Sequence, residues 1–333
     1  MNQWKACELH THTLHSDGDF SVEKLASCAK EFGLDCIALT DHNTISGHLE
    51  IPEVSEKIGI DIIRGLEWTT FYGHVVALGI TKYIDWHNIG KYNLNKGVQE
   101  IHENGALAGI AHPFRLGNPI STGTYFEYEV SDWNDIDYLE VWSEEFPSMK
   151  TACKRAFELW DDLLNKGYRI TGVSGRDWHR KSTKCLPISK TYIKVDNNLG
   201  IEEAIKDSIK KGSVICSYGP LITLSAYSNL NEDIKEVGEE LLIGSNTVHK
   251  IDVNIDFNNH SDQWNLKEQE LIIQLNSNLG ILNSIEKKID QERLSFEIDL
   301  KSVKWIRVQV VGEILGENSI VGFTNPIYIN ESN

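Results

Sequence analysis

The amino-acid sequence predicts an α/β protein with a smaller β domain behind it, and three observations carry that expectation. From residue 5 to about 220, short β-rich runs alternate with amphipathic helical stretches over mostly short connections. That is the pattern of a mainly parallel sheet, open or closed into a barrel. After Tyr218-Gly219-Pro220 the helical stretches stop, and β-branched or alternating segments come next between clusters of Asn, Asp, Ser and Gly. A chain of 333 residues also exceeds the usual size of one compact core. The expected division is therefore 1–220 for an α/β domain and 221–333 for an antiparallel, sandwich-like β domain.

Taken in order, ACELH reads as a strand. Next comes a helix from Ser21 to Phe32, with Ser21 as N-cap, Glu23 in its first turn and Gly33 just past its end. DCIALT is the next strand, and after it a helix spans about 44–57. IDIIRGLE leads into a hairpin containing HVVALGI, and a helix over about 95–104 is stopped by Gly105. ALAGIAH and DYLEVWS are strands, then come a helix over about 148–166 and the strands RITGVSG and TYIKV. A helix over about 200–211, stopped by Gly212, precedes SVICS. Beyond 220, LITLSAY, HKIDVNIDF, ELIIQLN, RLSFEIDL, KWIRVQVV and NPIYI read as strands.

Composition excludes several classes of function. Asp and Glu number 49 against 32 Lys and Arg, a formal net charge of −17, so the field of the molecule opposes nucleic-acid polymers and anionic membranes. A small anionic substrate stays admissible, because bound cations invert the local charge. The chain has no run of about 18 apolar residues, and MNQWKACELH has no apolar signal core, so a cytoplasmic protein is expected. Cys7, Cys28, Cys36, Cys153, Cys185 and Cys216 form no C-x-x-C pair and read as reduced, buried thiols. A homo-oligomer is left open.

The chemistry gathers at strand ends. In HTHTLHSDG, His10 and His12 are two apart at the end of a strand, so both imidazoles point to one side. Asp41 and His42 end the next strand, Glu67 the one after, His112 a later one, and Asp177 and His179 come just after another. These are the residue types that bind Zn, Mn or Fe, and buried ionisable groups are costly unless paired or metal-bound. His74 lies in the hairpin after Glu67 and reads either as a further ligand or as a histidine hydrogen-bonded on the hairpin.

The order H-x-H-T-x-x-S-D-G, T-D-H, a strand-end Glu, a hairpin His, A-H-P and D-x-H resembles the PHP (polymerase and histidinol phosphatase) superfamily of metallophosphoesterases over residues 8–179. GSVICSYGP and the terminal WIRVQVVG and FTNPIYI resemble the CehA/McbA branch, in which a β-rich domain succeeds the PHP domain. The resemblance implies a distorted (β/α)7 barrel with two to three divalent transition metal ions. One metal would take His10, His12, Glu67 and Asp177. A second would share Glu67 and add His74 and His112, and a third would take Asp17, His42 and His179.

The reaction this resemblance implies is hydrolysis of a small phosphate ester by a metal-bridging hydroxide, with Glu67, Asp177 and His179 as catalytic residues. Two other readings stand beside it: a carboxylic or carbamate ester hydrolase on the same site, and a non-catalytic binding or scaffold protein. Arg176 departs from the small residue common in the family. It reads as a phosphate contact, a neighbour that lowers the pKa of Asp177, or a structural ion pair. Arg115, three residues after His112, is a candidate anion clamp or a surface arginine. Asp41 is expected to orient a ligand or the loop and His15 to lie outside the ligand set; the tryptophans read mostly as packing, with Trp142 or Trp178 as the alternatives for a substrate-facing ring.

Overall fold

The computed structural model describes residues 2–118, 123–181, 187–229, 233–259, 269–288 and 293–331. Its first half contains β1 (Asn2–Glu8), α1 (Val22–Glu31), β2 (Cys36–Leu39), α2 (Ile51–Ile58), β3 (Asp61–Thr69), β4 (His74–Leu78), α3 (Leu94–Glu103), β5 (Leu107–Ile110), β6 (Tyr138–Ser143), α4 (Thr151–Asn165), β7 (Thr171–Gly175), β8 (Lys190–Asp196), α5 (Ile201–Lys211) and β9 (Val214–Ser217). The caps read from the sequence are in place at α1: the Ser21 side chain accepts from the Lys24 N–H, and Val22, Leu25, Ala26 and Ala29 form the buried face. The helix expected over 44–57 is instead a 3-10 turn, Ser46–Glu50, running into α2. Pro52 explains the restart, since it has no N–H to donate and fits only the first turn of an α-helix.

The sheet is mixed rather than parallel throughout. β1–β2–β3 and β5–β6–β7 are parallel, whereas β4 is antiparallel to β3 and β5. The four residues 70–73 leave no room for a crossover helix between β3 and β4. β8 runs antiparallel to β1 and to β9, and the described residues between β7 and β8 hold no helix to reverse the chain. The path curls back on itself. His12 N donates to Trp178 O and Trp178 N to His10 O, both at 3.0 Å, so the segment after β7 lies beside the segment after β1. Cys7, Ala38, Ile63, Val76, Leu107 and Val173, one from each of six strands, pack in the enclosed core.

The second half contains β10 (Leu221–Tyr227), β11 (Ile234–Glu236), β12 (Glu240–Ile243), β13 (Val248–Asp256), β14 (Glu270–Ser277), β15 (Gly280–Lys288), β16 (Arg293–Asp299), β17 (Trp305–Ile314), β18 (Glu317–Thr324) and β19 (Ile327–Glu331). One sheet, in the order β11-β10-β13-β16, is antiparallel. It packs on a second built around β17, with the buried alternate residues Ile222, Leu224 and Ala226 of β10 between them. The antiparallel expectation fails at one place, because β12 and β19 pair in parallel.

The second sheet also continues into the first half: β18 pairs with β9 through Gly322–Ser217 and Phe323–Cys216. Two polar contacts fasten the halves further. Asn325, fully buried, accepts from Gly172 N and donates to the carbonyls of Gly172 and Val214 at 2.8–3.0 Å. Arg307 of β17 pairs with Asp161 of α4 and stacks on Phe157, Trp160 and Trp305. Cys7, Cys28, Cys36, Cys153 and Cys216 are free and buried, whereas the expectation for Cys185 lies outside the described residues. No described helix is long and apolar enough to cross a membrane.

Candidate metal centre

The nine candidate ligands, His10, His12, Asp17, His42, Glu67, His74, His112, Asp177 and His179, meet at one end of the curled sheet. β1 ends at Glu8, so His10 and His12 lie just beyond it, and the bridge from Thr11 to Trp178 holds them beside Asp177. His12 Nε2 is 2.9 Å and His10 Nε2 3.3 Å from Asp177 Oδ1. Glu67 is the hub. His42 Nδ1 lies 2.6 Å from its carboxylate, His74 Nδ1 2.9 Å, His10 Nε2 3.2 Å and His112 Nε2 3.4 Å. Nearer the mouth, Asp17 Oδ1 is 3.1 Å from His179 Nε2 and 3.4 Å from His42 Nε2. Three groups have ligand atoms within 4.8 Å of one another: His10, His12, Glu67 and Asp177; Glu67, His74 and His112; and His12, Asp17, His42 and His179.

The donors fit divalent metal ions, as their own unmet bonding shows. His74 Nε2 is buried without a partner, and His10 Nε2, His12 Nε2, Glu67 Oε2 and Asp177 Oδ1 are buried close to one another with no well-aligned hydrogen bond. A protein that only packed these groups would bear the desolvation cost of each. Imidazole and carboxylate together suit Zn, Mn and Fe.

Electrostatics agree. Burial pushes the Glu67 carboxyl up, yet the surrounding His10, His42 and His74 outweigh it and hold it well below the usual carboxylate range. Asp177 is likewise held well below its ordinary value by His10 and His12 against burial. Burial lowers His12 to about 4, so it stays neutral at pH 7, with one ring nitrogen's lone pair available. His112 and Asp177 both have left-handed backbones, φ 26° and 54°, the kind of strain that gathers at functional sites.

A second layer holds these residues in place. Asp41 accepts from Thr13 N and Thr13 Oγ1, both at 2.7 Å, and from Ser16 Oγ at 2.6 Å, so it orders the loop between His12 and Asp17 as expected. Two buried carboxylates escaped the sequence reading. Glu140 Oε1 accepts from His10 Nδ1 at 2.7 Å while its Oε2 accepts from His112 N at 2.9 Å. Glu8 Oε1 accepts from His10 N at 3.0 Å and Arg176 N at 2.9 Å, and burial pushes its pKa up to about 7. Their signal was an acid flanked by apolar residues inside ACELH and DYLEVWS.

A cavity of about 530 Å³ opens over the cluster and is lined by Arg115, Arg176, Glu144, Glu145 and Lys150 among others. The arginine that reaches Asp177 is Arg115, which also lies 3.3 Å from Glu144 Oε1. Arg176 turns the other way, to Glu145 Oε1 at 3.5 Å and over the Trp178 ring at 4.9 Å.

Trp142 does not face a substrate: it is core, edge-on to Phe323 and tilted against Tyr218. Trp178 packs against Phe20 and Phe32 and also lines the cavity over the cluster. His15 bonds Ser46 and Glu50 instead of joining the cluster.

Fold and site together define a mixed α/β protein with a candidate multi-metal centre at one end of its sheet. Residues 8–114 match the PHP domain model. An uncharacterized protein of Methanocaldococcus jannaschii is 30% identical over 118 residues, 32% of this chain and 67% of that protein. The 5'-3' exoribonuclease of Haemophilus influenzae is 35% identical over 82 residues. The phosphoribosyl 1,2-cyclic phosphate 1,2-diphosphodiesterase of Eggerthella lenta is 28% identical over 79 residues. These two matches take in 23% and 22% of this chain and 30% of each enzyme, so the chain spans under a third of either. The chain belongs to the PHP domain family. A solved structure of a two-domain protein from Bacteroides vulgatus, containing a predicted PHP-like metal-dependent phosphoesterase, shares the fold over 98% of this chain and 96% of that one, with a TM-score of 0.53 at 15% identity.

Proposed function

We propose that this chain is a metal-dependent phosphoesterase that hydrolyses a small anionic phosphate ester at a trinuclear centre of Zn, Mn or Fe. The observation that carries the reading is the buried Glu67 carboxylate reached by four histidines between 2.6 and 3.4 Å. Three ligand groups, His10/His12/Glu67/Asp177, Glu67/His74/His112 and Asp17/His42/His179, would hold one ion each. When bound, such ions supply a nucleophile near neutrality and offset charge on phosphoryl oxygens.

The chain's own residues do the rest. Glu67 and Asp177 stay anionic, His12 stays neutral, and Arg115, on the cavity wall beside Asp177, would offer its guanidinium to a phosphoryl oxygen, with Arg176, held by Glu145 and Trp178, lining the same cavity. His179, beside Asp17 at the mouth of the cavity, would act on the departing oxygen. We assign residues 1–220 to the catalytic domain, with the curled sheet as its distorted barrel, and 221–333 to the β domain of a CehA/McbA-like arrangement.

The test strips the full chain with chelator, reloads it with Zn, Mn or Fe(II), and offers phosphomonoesters, a cyclic phosphodiester, an aryl carboxylic ester and a carbamate. The expected result is metal-restored turnover of a phosphoester. Turnover of the carbonyl compounds alone would move the electrophile to carbon. Inactivity of a fully loaded protein on all four would leave a binding or scaffold role.

A further inference from the structure

We propose that Glu140 is a positioning residue that fixes the metal-binding tautomer of His10 and, through the backbone of His112, ties two of the ligand groups to a single carboxylate. The inference rests on the metal-centre reading above. Glu140 lies on β6, which itself carries none of the nine candidate ligands, and it is almost wholly buried.

Its two oxygens do different work. Oε1 faces His10 Nδ1 at 2.7 Å, and Oε2 takes the His112 backbone N–H at 2.9 Å. A carboxylate can only accept, so Nδ1 of a neutral His10 must carry the proton. The Nε2 lone pair is then free for an ion shared with Glu67 and Asp177, whose oxygens lie 3.2 and 3.3 Å from that nitrogen. On the other side, Oε2 holds the turn in which His112 takes its left-handed φ of 26°, and so places that imidazole against Glu67. Packing leaves Glu140 little choice of position, because a Cβ on Gly175 would lie 2.4 Å from its Oε1 and 2.9 Å from His10 Cβ.

Glu8 supplies the contrast. It receives both of its N–H groups, from His10 and Arg176, on one oxygen, so an amide side chain can replace it with every bond kept. Glu140 needs two acceptors and glutamine has one. If the amide NH₂ of Glu140→Gln faces His10, the imidazole is driven to the Nε2–H tautomer, which blocks the lone pair that points into the site. If it faces His112, two donors meet and the turn is released.

The experiment compares the wild-type full chain with Glu140→Gln and Glu8→Gln, reading Zn affinity by chelator competition and the visible spectrum of the Co(II)-loaded protein. Glu140→Gln is expected to bind roughly 10–100-fold more weakly, with an altered Co(II) spectrum. Glu8→Gln, which keeps an acceptor for both of its N–H partners, is expected to lose less affinity than Glu140→Gln, and equal losses in the two would overturn the proposal. A folded Glu140→Gln with wild-type affinity and spectrum would overturn the proposal. Should that variant fail to fold, nitrogen-15 spectra of the Zn-loaded wild type decide: a proton on His10 Nδ1 supports it and a proton on Nε2 sinks it. A wild-type protein that takes up no metal overturns the metal-centre reading itself, a result separable from the Glu140 outcomes.

Discussion

Two buried clusters, one in each half of the chain, meet their bonding in opposite ways. In the β half, Asp252 is nearly covered, yet its carboxylate takes Ser295 Oγ, the Tyr227 hydroxyl and Arg293, so its bonding is met from within. At the end of the curled sheet, His10, His12 and Glu67 are fully buried and still hold nitrogen and oxygen atoms without hydrogen bonds. The first network reaches the surface, where Arg293 is exposed, and the second lies in a low-dielectric interior. A satisfied network is complete as a piece of structure, whereas an unsatisfied one of metal-binding types is complete only with a ligand. The difference separates a fastening from a site.

The sharpest way to break that comparison is at the hub. Glu67→Ala or Asp177→Ala should lower metal content and cut metal-dependent hydrolysis by on the order of a thousandfold or more, beyond the effect of an outer-shell change. Metal analysis and a phosphoester assay on the purified variants check it. Variants that keep full metal stoichiometry and wild-type turnover would end the site assignment.

Next in size is Glu8, whose carboxyl burial pushes up from 4.5 to about 7. The folded state then holds a proton that the unfolded state has released between those values. Its contribution to stability is therefore complete below about pH 4.5 and lost as pH rises through 7. The shift corresponds to roughly 3 kcal/mol. Glu8→Gln, which cannot ionise, should make the metal-free protein more stable than wild type at pH 8 and no different at pH 4.5, as read by urea denaturation. Equal stabilities at pH 8 would refute the raised pKa.

A smaller loss is expected where the halves are clamped. Arg307→Ala removes three ring contacts and leaves Asp161, whose side chain is a third exposed, without its guanidinium. Because water partly screens Asp161, the cost should be about 2 kcal/mol, less than for a fully buried pair. Thermal denaturation measures it, and metal affinity of the folded variant should stay at the wild-type value. Metal loss in this variant would show that the clamp supports the site as well.

The parts of this contrast that could be read in the sequence were the ones written in residue type at strand ends. Histidines and carboxylates at His10, His12, His42, Glu67, His112, Asp177 and His179 come at the ends of β-type runs, and a period of two at 10 and 12 puts both rings on one side. His74 was ambiguous, since a hairpin histidine bonded locally and one leaning over the mouth read alike; its Nδ1 lies on Glu67.

Glu8 and Glu140 were missed because an acid between apolar neighbours also fits a strand with one wet face. Only the folded sheet shows that no such face exists there. Which arginine meets Asp177 depends on the path of the loop after β5, not on proximity in sequence, so Arg176 drew attention that belonged to Arg115. The parallel pairing of β12 with β19 joins segments far apart in the chain and leaves no local pattern.

The smallest expected effect tests the satisfied network. Burial pushes Asp252 up, but Ser295, Arg293 and Tyr227 more than offset it and hold its pKa at about 2. Here the unfolded state binds the extra proton. The stabilisation is therefore complete above about pH 4 and lost as pH falls through 2, the reverse of Glu8. Arg293 is exposed to solvent, so the contribution should be only about 1 kcal/mol. Asp252→Asn should remove this acid-side slope while leaving stability at pH 8 within about 1 kcal/mol of wild type and metal uptake unchanged. If the variant instead lost metal, the β half would be part of the site, and the contrast between a fastening and a centre would fail at its satisfied end.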